Sequence, residues 1–386
     1  MKTYFPISLF ISYVAFYAGQ AIYNTYLNLY LHQVGFSQSQ IGFVVSISTF
    51  FVLGAQLFWG VRSDRAKSKN TILEILFTFS TVLLLIFYIS TQYLFIVGVI
   101  LLLALFFVPI PTLQDNLALE HLEKTKWDFG TVRVGGTLGY AFTILVIGFV
   151  LKENYRSIFL MTAFFTGIAG IAFYFAPSVK GYKKEKKHDY KKILQNKKMN
   201  LFIGFNVIFM ITISYYYSYY PIYFSSIGGD SKYIGFMMFA CAIIEVPCLF
   251  KANKVVKKWG IEKVLIFSGI ITALRWFALY KLTNPILIIL VNLLHGIGYT
   301  GFSYSLLTFI NQNVPQELKA TGQTFNALMV TVFSKIIFGF IGGYLSDYLG
   351  VDKVMLGAGI LMLSMTAIFY LGIKGMTEKS STRWRV

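Results

Sequence analysis

The sequence predicts an all-α polytopic membrane protein, with twelve transmembrane helices arranged as two pseudo-symmetric six-helix bundles. Three observations carry that expectation. Apolar residues make up 56% of the 386-residue chain and charged residues only 13%, about half the charged share of a soluble domain, and mean hydropathy is +0.65. The remaining charge is gathered between apolar runs of roughly 18–25 residues, the length that crosses ~30 Å of hydrocarbon; with no water there to pair backbone groups, such runs must be helical. Finally, a segment in the first half recurs near the start of the second.

The expected spans are 6–33, 40–60, 71–90, 93–118, 129–151 and 157–176, then 201–225, 233–250, 263–280, 284–310, 321–344 and 354–373. The first follows Lys2 and runs to full spanning length, which reads as a helix and not as a cleavable signal peptide. Loops on alternate sides differ sharply in Lys and Arg. One side carries Arg62, Arg65, Lys67 and Lys69, then Lys124 and Lys126, then nine lysines from Lys180 to Lys198, then Lys251, Lys254, Lys257, Lys258 and Lys263. The other holds only Lys152, Arg156, Lys232, Lys281 and Lys353. The positive-inside bias therefore puts both termini and the central loop in the cytoplasm, and it alternates consistently through twelve spans. The net charge of +18 belongs to these loops and not to a nucleic-acid surface.

The repeat joins Tyr26–Tyr30, Gly35 and Ile41-Gly42-Phe43 to Tyr219–Tyr223, Gly228 and Ile234-Gly235-Phe236, at a constant offset of 193 residues. Two parallel halves follow: an N-terminal bundle over 1–176, a basic cytoplasmic linker over 177–200, a C-terminal bundle over 201–374 and a cytoplasmic tail over 375–386. Repeats of this kind hold their ligand near the bilayer midplane.

Charged side chains inside spans are costly, by about 2.5–3.5 kcal/mol on insertion scales, and so point to function. Asp115, Arg133, Glu245, Arg275, His295 and Lys335 stand out. Counting the strong acids and bases leaves one cation in excess, so either Lys335 is neutral or an anionic group visits it. Tyrosines crowd spans 1 and 7; those near the outer ends suit an interfacial belt, and the inner ones, Tyr26 and Tyr219 among them, suit an amphipathic cavity wall. Cys241 and Cys248 lie seven residues apart on one helix face, too far to bond.

Asp115-Asn116 followed by Phe129-Gly130-x-x-Arg133-x-x-Gly136 resembles the span 4–5 signature of the lactose permease group of proton symporters, within the major facilitator superfamily. Leu294-His295-Gly296, placed after Arg275-Trp276, resembles the span 9–10 pattern of that group, most of all its phenylpropionate permease branch. Gly60-x-x-x-Asp64-Arg65 is similar to the superfamily's loop 2–3 motif, with Lys67 at its later glycine. The resemblance implies the major facilitator fold and a cytoplasmic latch at Asp64 and Arg65. It further implies solute binding by Asp115, Arg133 and a ring-stacking Tyr140, and places Glu245 and His295 at functional positions. Gly298 and Asn292 stand where lactose permease keeps a glutamate and a lysine, so its proton site does not carry over. Glu245, Asp115 and His295, beside Arg275, are the candidates for proton coupling, and Tyr26, Tyr219, His295 and Lys335 join the candidate substrate site.

The expected function is proton-coupled symport of a small organic solute, whether aromatic acid, glycoside or nucleoside, by alternating access. Drug/proton antiport is the alternative, disfavoured because Gly135-Gly136-Thr137-Leu138-Gly139 lacks the Gly-Pro of such exporters. Sodium remains open as coupling ion, since Asp115 and Asn116 offer oxygen ligands. No hydrolase, phosphate-loop or metal-ligand motif occurs, so neither an enzyme, a cofactor, a metal nor a nucleic-acid partner is expected. The partners expected are the solute, protons and the lipid of a bacterial inner membrane, around a monomer.

Overall fold

A computed structural model of the chain describes residues 4–122, 125–151, 154–179, 197–313 and 326–382. Lys124, Lys152, most of the Lys-rich linker and the last four residues of the tail, all read from the sequence above, lie outside them. Helices fill the described segments: α1 Ile7–Gln33, α2 Gln38–Arg65, α3 Lys69–Ile86, α4 Tyr93–Phe106, α5 Ile110–Leu122, α6 Phe129–Leu151 and α7 Ser157–Tyr174. After the linker come α8 Lys197–Ser226, α9 Ser231–Trp259, α10 Ile261–Lys281, α11 Pro285–Asn292 and α12 Leu294–Asn313. A π-helical stretch, Thr331–Ile337, then leads into α13 Phe338–Leu349 and α14 Val351–Thr382.

Eleven helical stretches among the described residues are long and apolar enough to cross a membrane. The first helix makes the twelfth span. At 27 residues it has the length, but its tyrosines and amides dilute its hydropathy, and it turns most of its surface into the bundle.

Several bounds differ from the sequence expectation, each for a local reason. The fourth span is broken between α4 and α5, where Pro109 has no N–H to give and crowds the preceding turn. Residue 293 interrupts the tenth, next to Asn292, whose Nδ2 donates to the Ile288 carbonyl at 2.8 Å and competes with the helical ladder. The eleventh carries the π-helical turn, a form concentrated at functional sites. At their charged ends α2 and α9 run on to Arg65 and Trp259, because a helix satisfies its own backbone in headgroups as well as in hydrocarbon.

Two compact units form, one from α1–α7 with Asp230–Gly235 and one from α8 onward without them. In the first, α1 packs on α6 and α7, and α3 on α7; in the second, α8 packs on α14, and α10 on α14 and α12. The pairs α1·α7 and α8·α14 are repeat mates. So are the turns before α2 and α9: Gly35 and Gly228 both take a left-handed backbone, at φ 95° and 86°, which only glycine adopts at low cost. Where α1 crosses α6, a Cβ on Gly139 would run into the Val14 carbonyl; the glycines of span 5 are there to bring these helices together.

Candidate functional site

The close crossing of α1 and α6 sets the polar cluster of the first unit. It brings Arg133 of α6 against Tyr13 and Tyr17 of α1, while α5 supplies Asp115. Arg133 Nε lies 3.3 Å from Asp115 Oδ1, with both side chains about a third exposed. Tyr13 donates its hydroxyl to the same carboxylate oxygen at 2.7 Å, and Arg133 Nη2 donates to the Tyr17 hydroxyl at 2.6 Å. The guanidinium carbon also sits 4.1 Å from the Tyr17 ring centroid and 5.4 Å from that of Tyr13. Gly136 makes room for this, since a Cβ there would meet both Arg133 and Tyr17. These contacts engage two of the five guanidinium donors. The pair is electrically neutral, directional and reachable. Tyr140 is half-buried on the same face of α6, two turns beyond Arg133.

The second unit holds a longer chain of contacts, running across α8, α9, α10 and the α11–α12 break. Arg275 is buried, flanked by the rings of Tyr216 and Trp276 at 4.2 and 4.6 Å. Its Nη2 donates to Asn292 Oδ1 at 2.6 Å, and Tyr216 donates its hydroxyl to the same oxygen at 2.8 Å. Nη1 lies 3.0 Å from His295 Nδ1. On the far side of the ring, His295 Nε2 stands 3.2 Å from Glu245 Oε1 and 3.2 Å from the Tyr217 hydroxyl, and Tyr299 stacks on the ring face at 5.0 Å. A guanidinium can only donate. Nδ1 must therefore accept, which leaves the proton on Nε2 facing Glu245. The imidazole is 1% exposed and the carboxylate 30%, so Glu245 is the more accessible partner of the two. Gly296 permits the approach of α12 to α9, as a Cβ there would collide with Ile244.

Other residues singled out in the sequence sit elsewhere. Tyr26 and Tyr219 are buried, with their hydroxyls on backbone carbonyls of Ser231 at 3.2 Å and Gly339 at 3.0 Å. Lys335 is exposed on the π-helical turn. Asp64 pairs with Lys69 Nζ at 3.3 Å, and Lys69 pairs with Glu120 at 2.6 Å. Arg65 is exposed at the end of α2. Cys241 and Cys248 are both free thiols. Tyr13, Tyr17, Tyr216, Tyr217 and Asn292 are functional candidates that sequence reasoning missed as such. The tyrosines were present in crowded spans, but nothing in spacing separates those that meet an ion pair from those that fill a core.

The model of the MFS_1 like family matches residues 6–356, most of the chain. The chain belongs to the MFS_1 like family. Members of this family are major facilitator transporters, so this is a multi-pass plasma-membrane transporter of small solutes and not an enzyme. It is 26% identical over 349 residues to an uncharacterised transporter, YwbF, of Bacillus subtilis (strain 168), covering 88% of this chain and 86% of that one. It is 22% identical over 374 residues to the maltose permease of Geobacillus stearothermophilus, covering 95% and 92%. The crystal structure of the nucleoside transporter NupG superposes with a TM-score of 0.85 over 96% of this chain and 99% of that one, at 18% identity. That likeness establishes the major facilitator fold for this MFS_1 like chain.

Proposed function

We propose that this transporter takes up a neutral solute bearing a sugar ring, a nucleoside or a glycoside, together with protons, by alternating access. The observation that carries the reading is the Asp115–Arg133 pair framed by Tyr13 and Tyr17. A carboxylate beside a guanidinium supplies an acceptor and a fork of donors within one site, which suits adjacent hydroxyls, while tyrosine rings offer an apolar face for a sugar or base. Because the pair is neutral overall, it does not favour an anion. A maltose permease and a nucleoside transporter among the similar proteins support the same class.

Proton coupling falls to Glu245. Arg275 holds His295 as a neutral donor, since a second positive charge 3.0 Å from the guanidinium would be strongly repelled. His295 therefore transmits the state of the carboxylate to Arg275 and does not itself carry the proton. When Glu245 is protonated, the negative charge at the far end of the chain from Arg275 is lost, and the hydrogen-bond chain reorganises. Orientation follows the lysine-rich loops, with both termini in the cytoplasm.

Lys335 supports a second reading. A lysine on a π-helical turn suits an aromatic carboxylate as solute.

The test is uptake into right-side-out membrane vesicles across a panel of nucleosides, glycosides and aromatic acids, with and without an imposed proton gradient. Accumulation of a neutral sugar-bearing solute only with the gradient is the expected result. Accumulation of aromatic acids alone would transfer the assignment to the Lys335 reading. Proton-driven loading of everted vesicles instead would overturn the direction.

A further inference from the structure

The break in the fourth span leaves one backbone group in need of a donor. In an unbroken helix the N–H of residue 109 would pair with the Leu105 carbonyl, but Pro109 has no N–H and its ring crowds that same carbonyl. The neighbouring amides do not take its place. Val108 N–H turns back to the Leu103 carbonyl at 3.4 Å, and Ile110 N–H goes to that of Phe107 at 3.3 Å. In hydrocarbon no water substitutes, and an unpaired carbonyl there is costly. The donor comes from α2: Trp59 Nε1 donates to the Leu105 carbonyl at 2.8 Å. An indole N–H can only donate. The ring lies against Phe106, 5.7 Å between centroids, and Phe106 in turn stacks on Phe79 of α3 at 5.1 Å. The last turn of α4 is thus gripped from two helices where the span breaks.

Beyond the break runs α5, the helix that carries Asp115. Gln114 Nε2 donates to Ser12 Oγ at 3.1 Å, beside the bond from Tyr13 to Asp115, so α5 meets α1 over consecutive residues. Asp115 follows Phe107 by eight residues, about 12 Å along an ideal helix. On that lever a change of about 10° in the bend carries the carboxylate about 2 Å. That is enough to part Asp115 Oδ1 from Arg133 Nε, now 3.3 Å away.

We infer that Trp59 is a positioning residue for the solute site: its indole N–H stands in for the missing proline N–H at Leu105, and so fixes the angle at which α5 presents Asp115 to Arg133. This rests on Asp115 and Arg133 as the solute site.

The experiment uses the full-length chain in proteoliposomes. Spin labels go on Leu119→Cys and Ile171→Cys, at exposed positions of α5 and α7, with Cys241→Ser and Cys248→Ser removing the native thiols. Trp59→Phe keeps a ring and loses the N–H; it should shift or broaden the distance distribution by about 2 Å. Trp59→His should keep the parent distribution, because its five-membered ring places Nε2–H where the indole places Nε1–H. With Pro109→Ala, residue 109 supplies its own N–H to Leu105, and Trp59→Phe should then change nothing further. An unchanged distribution in Trp59→Phe, the same change in Trp59→His, or an equal change on the Pro109→Ala background would overturn the inference.

Uptake of uridine and of maltose by the same variants separates positioning from stability. Trp59→Phe should raise KM about tenfold, the worth of one charge-assisted hydrogen bond, at little cost to the maximal rate. Phe87→Leu, which removes a buried ring stacked on Phe159 at 3.8 Å, should lower the melting temperature and leave KM alone. An unchanged KM in Trp59→Phe, or an equal rise in Phe87→Leu, would overturn the positioning role. If the parent takes up neither probe, the solute reading fails, while the distances still decide what Trp59 does at the break.

Discussion

Replacing Asn292 by leucine tests how the second unit holds a cation in its interior. The side chain is 0% exposed, and its single carbonyl oxygen accepts from Arg275 at 2.6 Å and from Tyr216 at 2.8 Å. Leucine has the same branching and the same number of side-chain heavy atoms and is somewhat larger, so no cavity opens; what is lost is the acceptor. A hydrogen bond to a charged group contributes about 1.5–3 kcal/mol, and a buried hydroxyl left without a partner costs at least about 1 kcal/mol. The guanidinium keeps its ring contacts and His295, so the sum should be about 3–4 kcal/mol. For a unit of this size that corresponds to a fall in melting temperature of about 10 °C, measurable by tryptophan fluorescence in detergent. Asn292→Asp retains the acceptor, and should melt within a few degrees of the parent protein. If Asn292→Leu also melts within 2 °C of the parent, Arg275 does not depend on Asn292, and the account of this cluster is wrong.

Three further outcomes follow from the same geometry. Glu245→Gln should abolish solute accumulation, which a one-unit pH gradient can drive about tenfold with one proton per solute, while solute counterflow in proteoliposomes persists; retained accumulation would remove Glu245 as the proton site. Gly139→Leu should prevent recovery of monodisperse protein, because the added side chain meets the Val14 backbone, whereas Gly98→Leu, with no atom within 4 Å of the new Cβ, should be tolerated. Asp230, just before α9, has its carboxyl held below the usual carboxylate range by the Lys232 backbone N–H at 3.0 Å. A depressed folded-state value means that its stabilisation is present above the usual carboxylate value and is lost as pH falls through the lowered one. Asp230→Asn should therefore flatten the acid limb of melting temperature against pH below about 4, and an unchanged limb would refute that role.

Much of the architecture was legible in the residues. Hydrocarbon imposes a length and forbids unpaired backbone, so apolar runs and lysine-rich gaps translate almost directly into spans. The offset of 193 residues that matched Gly35 to Gly228 reappears as two turns with the same left-handed backbone. Asp115 and Arg133 could be suspected together because charge inside a span is costly and needs a partner, and they stand 3.3 Å apart.

The breaks were less legible. Pro109 was visible, but whether a membrane helix bends or stops at a proline depends on neighbours that satisfy its freed carbonyls. Asp64 and Arg65 were expected at a cytoplasmic latch, but nothing in the sequence showed that Asp64 meets Lys69, which two carboxylates hold in a buried position.

The sequence by itself determined the class, the number of spans, the duplication and the short roll of charges that a membrane would tolerate only for a purpose. These properties depend on each segment's own energy in lipid. Tertiary structure alone decided which of many tyrosines touch those charges, Tyr17 on Arg133 and Tyr216 beside Arg275, while Tyr26 and Tyr219 meet backbone carbonyls. It decided the tautomer of His295, through an arginine twenty residues away. Such choices rest on distances of about 3 Å between helices remote in sequence, and those distances are set by how the glycines at crossings let whole helices approach.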